Sequence, residues 1–130
     1  MFEYTRKFNL KISMPSVDAH RSVLSHFVTA HQYANISMTY VNFLEVNSML
    51  FSQQALRQFL SKYDNRIIGF GGDYLTFCAT GYDAERDYAV IHDVIAVNPK
   101  VRESTGKREL HKLHDWDKRK DVWKNYAEKI

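Results

Sequence analysis

Two apolar runs, Arg66 to Phe70 and Asp73 to Thr80, stand on either side of Gly71-Gly72, and no other local pattern in the chain is as constraining. Glycine reaches positive φ without steric cost, so a Gly-Gly pair between strand-like runs is the chemistry of a tight hairpin turn. The pattern predicts a β-hairpin over 66–80. Gly81 to Asp87 is polar and reads as a loop. Tyr88 to Val97 follows, and Val90, Ile91, Val94, Ile95 and Val97 give it strand character, so a three-strand meander is expected. A helix over 84–96 is the rival, because Ala84, Ala89 and the 91/94/95 spacing also fit a 3.6-residue period.

Upstream, Phe2, Tyr4, Phe8, Leu10 and Ile12 share one parity, against Glu3, Thr5, Lys7, Asn9, Lys11 and Ser13. A period of two predicts a strand over 2–13. Pro15-Ser16 then reads as a helix start, with Val17, Val23, Leu24, Phe27 and Val28 as the apolar stripe of a helix reaching about Tyr33. Ile36 to Val46 is rich in β-branched and aromatic residues and predicts a strand covered on both faces. Ser52 caps a second helix to about Tyr63, with Phe51 and Leu56 as a hydrophobic staple and Asp64-Asn65 as its left-handed stop. After the break at Asn98-Pro99, residues 107–130 read as one helix with Leu113, Trp116, Trp123, Ala127 and Ile130 on one seam, packing on the sheet. The expected fold is α+β, a mainly antiparallel sheet of about five strands in the order β-α-β-α-β-β-β-α, in a single domain over 1–130.

Composition narrows the class. An apolar fraction of 45% with 14% aromatic residues is globular. No apolar run nears the ~20 residues of a membrane span, and no secretory signal is read at the N-terminus. Cys78 is the only cysteine, so no intrachain disulfide is possible, and a cytoplasmic protein is expected. Within a strand-like run Cys78 reads as a small buried hydrophobe before it reads as a nucleophile. The net charge of +3 is uneven: residues 100–130 carry ten Lys/Arg and six Asp/Glu, whereas 1–99 carry eight and nine. That basic end suits an anionic partner or a solvated tail helix.

No complete catalytic, cofactor or structural-metal motif is present. His20 and His31 lie on one face of the expected first helix, but ~16 Å apart along its axis, too far to share an ion. His111 and His114 are spaced to share one, though a solvated polar face explains them as well. His92 and Asp93 point to opposite faces of a strand and cannot pair with each other. His92 with a neighbouring Thr76 or Cys78, and with loop carboxylates such as Asp87, is the enzyme reading, a small hydrolase or nuclease. Ser104-Thr105-Gly106 before Lys107-Arg108 places a hydroxyl cap and two cations at a helix start, where the dipole favours anions. With Lys112 and Arg119 this forms a candidate anion or nucleic-acid site. The leading expectation is a small non-enzymatic binding or regulatory module that takes no cofactor and engages a macromolecule off the membrane. A protein partner comes first, and a nucleic acid or nucleotide bound through the basic C-terminal region second. Nothing in the sequence fixes the oligomeric state.

Overall fold

Every residue of Ile12–Val17 is buried, and so are the first five of Tyr88–Ala96. These two segments, β1 and β4, run parallel at the centre of one four-stranded mixed sheet. The computed structural model describes residues 1–81, 85–100 and 113–130. The edge strands are β2 (Met38–Tyr40), antiparallel to β4, and β3 (Leu50–Phe51), antiparallel to β1, giving the order β2-β4-β1-β3. Among the described residues four helices complete an α+β fold: α1 (Phe2–Lys7), α2 (Gln53–Lys62), α3 (Gly72–Thr80) and α4 (Trp116–Ala127).

The period of two along β4 sorts its side chains onto two cores. Tyr88 and Val90 join Ile12 and Met14 beneath Ala55 of α2 and Phe77 of α3. Ala89 and Ile91 join Leu10 on the opposite face, against Met1 and Tyr4 from the α1 end. The hydroxyl of Ser13 meets Thr5 of α1 at 2.7 Å. Covering on both faces is what a central parallel pair requires.

Several expectations give way. The 2–13 strand is α1 followed by a stop at Asn9, whose φ of 50° ends the helix, and β1 begins only at Ile12. The alternation is not what the fold uses: Phe2 and Phe8 are exposed, and the side chains turned toward the sheet are Met1, Tyr4 and Thr5, at helical spacing. The helix expected from Ser16 is absent. Pro15 and Ser16 are strand residues, and Asp18 instead turns the chain by accepting the His20 and Arg21 backbone N–H groups at 2.9 and 3.1 Å. Of that stripe, Val17 is in the core, while Phe27 is 84% exposed in the 3₁₀ turn Phe27–Thr29. The strand expected over 36–46 shrinks to Met38–Tyr40, although Leu44 is fully buried in the core.

The hairpin over 66–80 is overturned by α3. Gly71 does have positive φ, 92°, but as the N-cap of a helix. Thr76 and Thr80 donate their hydroxyls to the carbonyls four residues back, at 2.8 and 2.9 Å, which ties up polar side chains inside the packed helix. Burial of Leu75 and Phe77 then outweighs the strand preference of the run. The sheet therefore has four strands and a parallel centre, not five mainly antiparallel ones. The strand at Tyr88–Ala96 forms, and the helix over 84–96 does not. The second helix also forms as expected: Ser52 Oγ accepts the Ala55 N–H, although Phe51 meets Phe59 at a centroid distance of 5.5 Å, and Asn65 is not left-handed.

The single helix expected over 107–130 is interrupted: His114 and Asp115 are not helical, α4 starts afresh at Trp116 with Asp115 as its cap, and it ends at Ala127, so Leu113 and Ile130 flank it and the expected seam is not buried as a whole. Trp123 is half-buried, whereas Leu113, Trp116 and Ile130 are exposed. A Cβ placed on Gly71 would lie 2.4 Å from the Trp123 ring, so glycine is demanded there by both φ and space. Gly71→Ala is expected to lower stability by about 1–3 kcal/mol, read as a fall in the urea midpoint at unchanged slope. A change within about 0.5 kcal/mol would mean that Trp123 does not seat there.

Candidate functional site

The β1–β4 ladder breaks at Pro15. Pro15 pairs with Ile91, but Ser16 pairs with Ile95, leaving His92, Asp93 and Val94 as a bulge. Proline has no N–H to give the ladder, and bulges re-aim side chains. Here the bulge turns His92 toward the 31–39 segment. Its Nδ1 accepts the Gln32 backbone N–H at 3.2 Å, and its Nε2 lies 2.9 Å from Thr39 Oγ1. A backbone N–H only donates, so Nδ1 carries no proton and Nε2–H is the donor to Thr39. His92 is 4% exposed, and burial pushes its pKa below the ordinary histidine value. Charge on His31 pushes the same way and Asp93 opposes.

His31 is the neighbour, with ring centroids 5.7 Å apart. Its Nδ1 meets Ser16 Oγ at 2.8 Å, and the Ser16 hydroxyl donates to the Val94 carbonyl at 3.2 Å. The proton between Ser16 and His31 is therefore on the ring. Tyr33 stands edge-on to His31 at 4.6 Å and faces His20 at 6.0 Å.

A second polar group holds the next loop. Glu45, 7% exposed, accepts the His26 N–H at 2.9 Å and the Thr29 hydroxyl at 3.1 Å. His26 Nδ1 lies 3.5 Å away and its ring packs on Phe43 at 4.5 Å. Burial raises the pKa of Asp73, and nearby Glu45 adds to that.

The third group is the outer end of α4. Asp115 caps the helix, accepting the Lys118 N–H at 2.8 Å. Tyr74, Trp123 and Tyr126 stack in series at 5.9 and 6.0 Å, and Phe70 meets Trp116 edge-on at 5.1 Å. The Arg119 guanidinium and the Lys120 ammonium lie 5.5 and 5.7 Å from the Trp116 ring.

The residues singled out in the sequence fall far apart. Asp87 precedes β4 and pairs with Lys11 at 2.9 Å; five residues of strand, ~17 Å, separate it from His92. Cys78 is exposed on α3, not buried in a strand, and its carbonyl accepts from Lys62 at 3.4 Å. Thr76 and Cys78 therefore offer His92 no cross-strand pairing; Thr39 takes that place. His114 gives its carbonyl to Arg119 Nε at 3.1 Å. Arg119 itself is 4% exposed, with Nη2 lacking a hydrogen-bond partner, so it is inside the fold and not offered to phosphates. Ser104, Thr105, Lys107, Arg108, His111 and Lys112 lie outside the described residues. Among the described residues no three His, Cys, Asp or Glu side chains converge as metal ligands do. Ser16, Gln32 and Thr39 carry no local signal, because the bulge that gathers them with His92 is a long-range pairing.

His92→Leu leaves the Gln32 N–H and the Thr39 hydroxyl without their partner. It is expected to cost about 2–4 kcal/mol in equilibrium unfolding near pH 7. A loss under about 1 kcal/mol would mean these bonds are not made.

Ser16 and His31 have the spacing of a nucleophile and its base, but Ser16 has no exposed surface and its hydroxyl proton is committed to Val94. The histidine cluster thus acts as a lock that holds residues 31–39 to the bulge, while the exposed aromatic side chains gather around α4. Comparison with protein-family models, with curated proteins and with solved structures finds no match to this chain.

Proposed function

We propose that this chain is a non-enzymatic binding module that engages a protein partner through the outer face of α4 and the adjoining flank of α3. One observation carries the reading: the apolar side chains on α4 and on the residues that flank it are only partly used by the fold. Trp123 seats over Gly71, while Leu113, Trp116 and Ile130 remain 62, 48 and 53% exposed, with Tyr74 beside them at 47%. Exposed aromatic anchors on a rigid helix are what protein partners bury, since they bring large area at small entropic cost. The Tyr74–Trp123–Tyr126 stack supports such a platform before any partner arrives. Among the described residues no helix is long and apolar enough to cross a membrane, and the exposed Cys78 thiol suits a reducing compartment such as the cytoplasm.

Nucleic-acid binding is the second reading, favoured by Lys120 beside the exposed Trp116 ring, since bases stack on aromatic side chains flanked by cations. Asp115, Asp117 and Asp121 on the same helix weaken the field that phosphates would meet. The hydrolase reading has less support, because both nitrogens of His92 are occupied within the fold.

The test is Leu113→Glu with Trp116→Glu, two exposed positions whose replacement is expected to leave the circular dichroism unchanged. Crosslinking and affinity capture from the source cells, read by mass spectrometry after nuclease treatment, should recover a protein with the wild type and lose it with the double variant. Capture that vanishes on nuclease treatment, or oligonucleotides that quench Trp116 fluorescence with a steep salt dependence, would favour nucleic acid. Equal capture by both forms would remove α4 as the interface.

A further inference from the structure

The three segments that meet at the β4 bulge are joined by one ring. We infer that His92 is a proton-operated latch: its two hydrogen bonds close the 31–37 segment against β2 and the bulge, and protonation of the ring opens them. The inference stands on this geometry alone and is independent of the α4 interface.

The chemistry of the latch is asymmetric. Protonation leaves Nε2–H free to donate to Thr39 as before. It destroys the acceptor at Nδ1, which then faces the Gln32 N–H with a hydrogen of its own. Two donors cannot share that position, so the ring or the segment has to move. Few charged groups act on the ring. The loop contributes His31, whose charge disfavours a second cation 5.7 Å away, and behind it Tyr33 and His20. β4 contributes Asp93, whose carboxylate is held by the Tyr4 hydroxyl of α1. From β2 the ring meets the neutral Thr39, and from β1 Ser16 reaches His31 and Val94 instead. Burial and His31 thus lower the pKa of the closed ring against the opposing Asp93 carboxylate.

What the latch holds has a shape. Gln32 and Thr39, its two partners, both line a cleft of about 440 Å³, whose walls also include Val28, Tyr40, Val41 and Glu85. The bonds to His92 fix these two walls relative to each other. Opening changes the cleft and frees a segment whose Tyr33 and Ile36 are already 66 and 43% exposed.

The sign of the linkage is definite. The closed state holds the pKa of His92 below its ordinary value, and in the open state the ring returns to about 6.5. The open state then binds the proton more tightly, so closure is complete above about 6.5 and weakens as pH falls from there toward the lowered value. Within that window the opening equilibrium rises by at most about tenfold per pH unit, the limit for one proton.

The experiment is amide hydrogen exchange of the full chain between about pH 7.5 and pH 5, across the range in which histidine titrates. Exchange is expressed as protection relative to the intrinsic rate at each pH. Protection of the Gln32 amide should fall by up to about tenfold per unit below the ordinary histidine value and level off at the lowered one, while Val90 in the core of β4 keeps its protection. His92→Gln supplies a carbonyl to Gln32 and an amide N–H to Thr39 without titrating, so it should flatten the Gln32 profile. His31→Gln removes a cause of the lowered closed-state pKa, so it should narrow the window and shrink the total fall in Gln32 protection. Ring nitrogen chemical shifts of the wild type, which do not depend on any variant folding, should show Nδ1 unprotonated at neutral pH and gaining its proton where Gln32 loses protection. A flat Gln32 profile in the wild type, a profile unchanged in His92→Gln, or Nδ1 protonation without loss of Gln32 protection would each overturn the latch.

Discussion

The parallel pairing of β1 with β4 is the constraint on which the rest of the structure depends. Parallel neighbours cannot be joined by a turn, so all of residues 18–87 must leave one end of the pair and return to the other. Both edge strands and both helices of the main core, α2 and α3, belong to that excursion. Their positions follow from it: β2 and β3 fall on opposite outer sides of the central pair, while α2 and α3 cover the face lined by Ile12, Met14, Tyr88 and Val90. α1 is left to close the other face through Tyr4 and Met1.

The ladder is interrupted at a single place, and there the polar chemistry collects. Pro15 cannot donate and three residues of β4 loop out; Ser16 answers the Val94 carbonyl of the bulge, and the bulged His92 takes the N–H of Gln32 from the neighbouring segment. A buried polar group left unanswered would cost about 1–3 kcal/mol, so Ser16 and His92 are structural necessities of the bulge before they are anything else. The aromatic face of α4 is the opposite case. Its rings pack against Phe70, Gly71 and Arg119 on one side yet leave Trp116 and Tyr74 about half exposed, and this difference separates the two clusters as candidates for an external role.

The sequence was legible where local chemistry and tertiary packing agree. Ser52 is a cap in either view, and the β-branched run from Tyr88 is a strand in either view. It misled where a local signal has two uses. Gly71 needs positive φ in a hairpin and at this helix cap alike, and only the Trp123 ring above it distinguishes them. Pro15-Ser16 opens many helices, but a proline is also tolerated at a bulge. The alternation from Phe2 pointed to a strand, but the helix that forms uses Met1, Tyr4 and Thr5 and leaves Phe2 and Phe8 exposed. Of the histidine cluster, His31 and His92 stood out one by one, but their meeting with Ser16 and Thr39 was illegible, because segments distant in the chain gather them and no spacing rule reaches that far. The basic end was legible as composition, but Arg119 shows that a cation counted there can lie inside the fold.

The long excursion between β1 and β4 also sets an order of events during synthesis. Residues 12–17 leave the ribosome well before residue 88 is made, and at ~5–20 residues per second the wait is on the order of several seconds. For that interval Ile12 and Met14 have no parallel partner. Of the two strands that pair with β1, β3 is made first, and it pairs with Ile12 and Ser13 in the antiparallel sense through Phe51 and Leu50. This two-residue strand looks negligible in the finished sheet. In the growing chain it is the earliest contact able to cover one edge of β1, and α2, which follows it directly, brings Ala55 to the same apolar face. The smallest strand of the fold thereby serves as the chaperoning element of its most buried one.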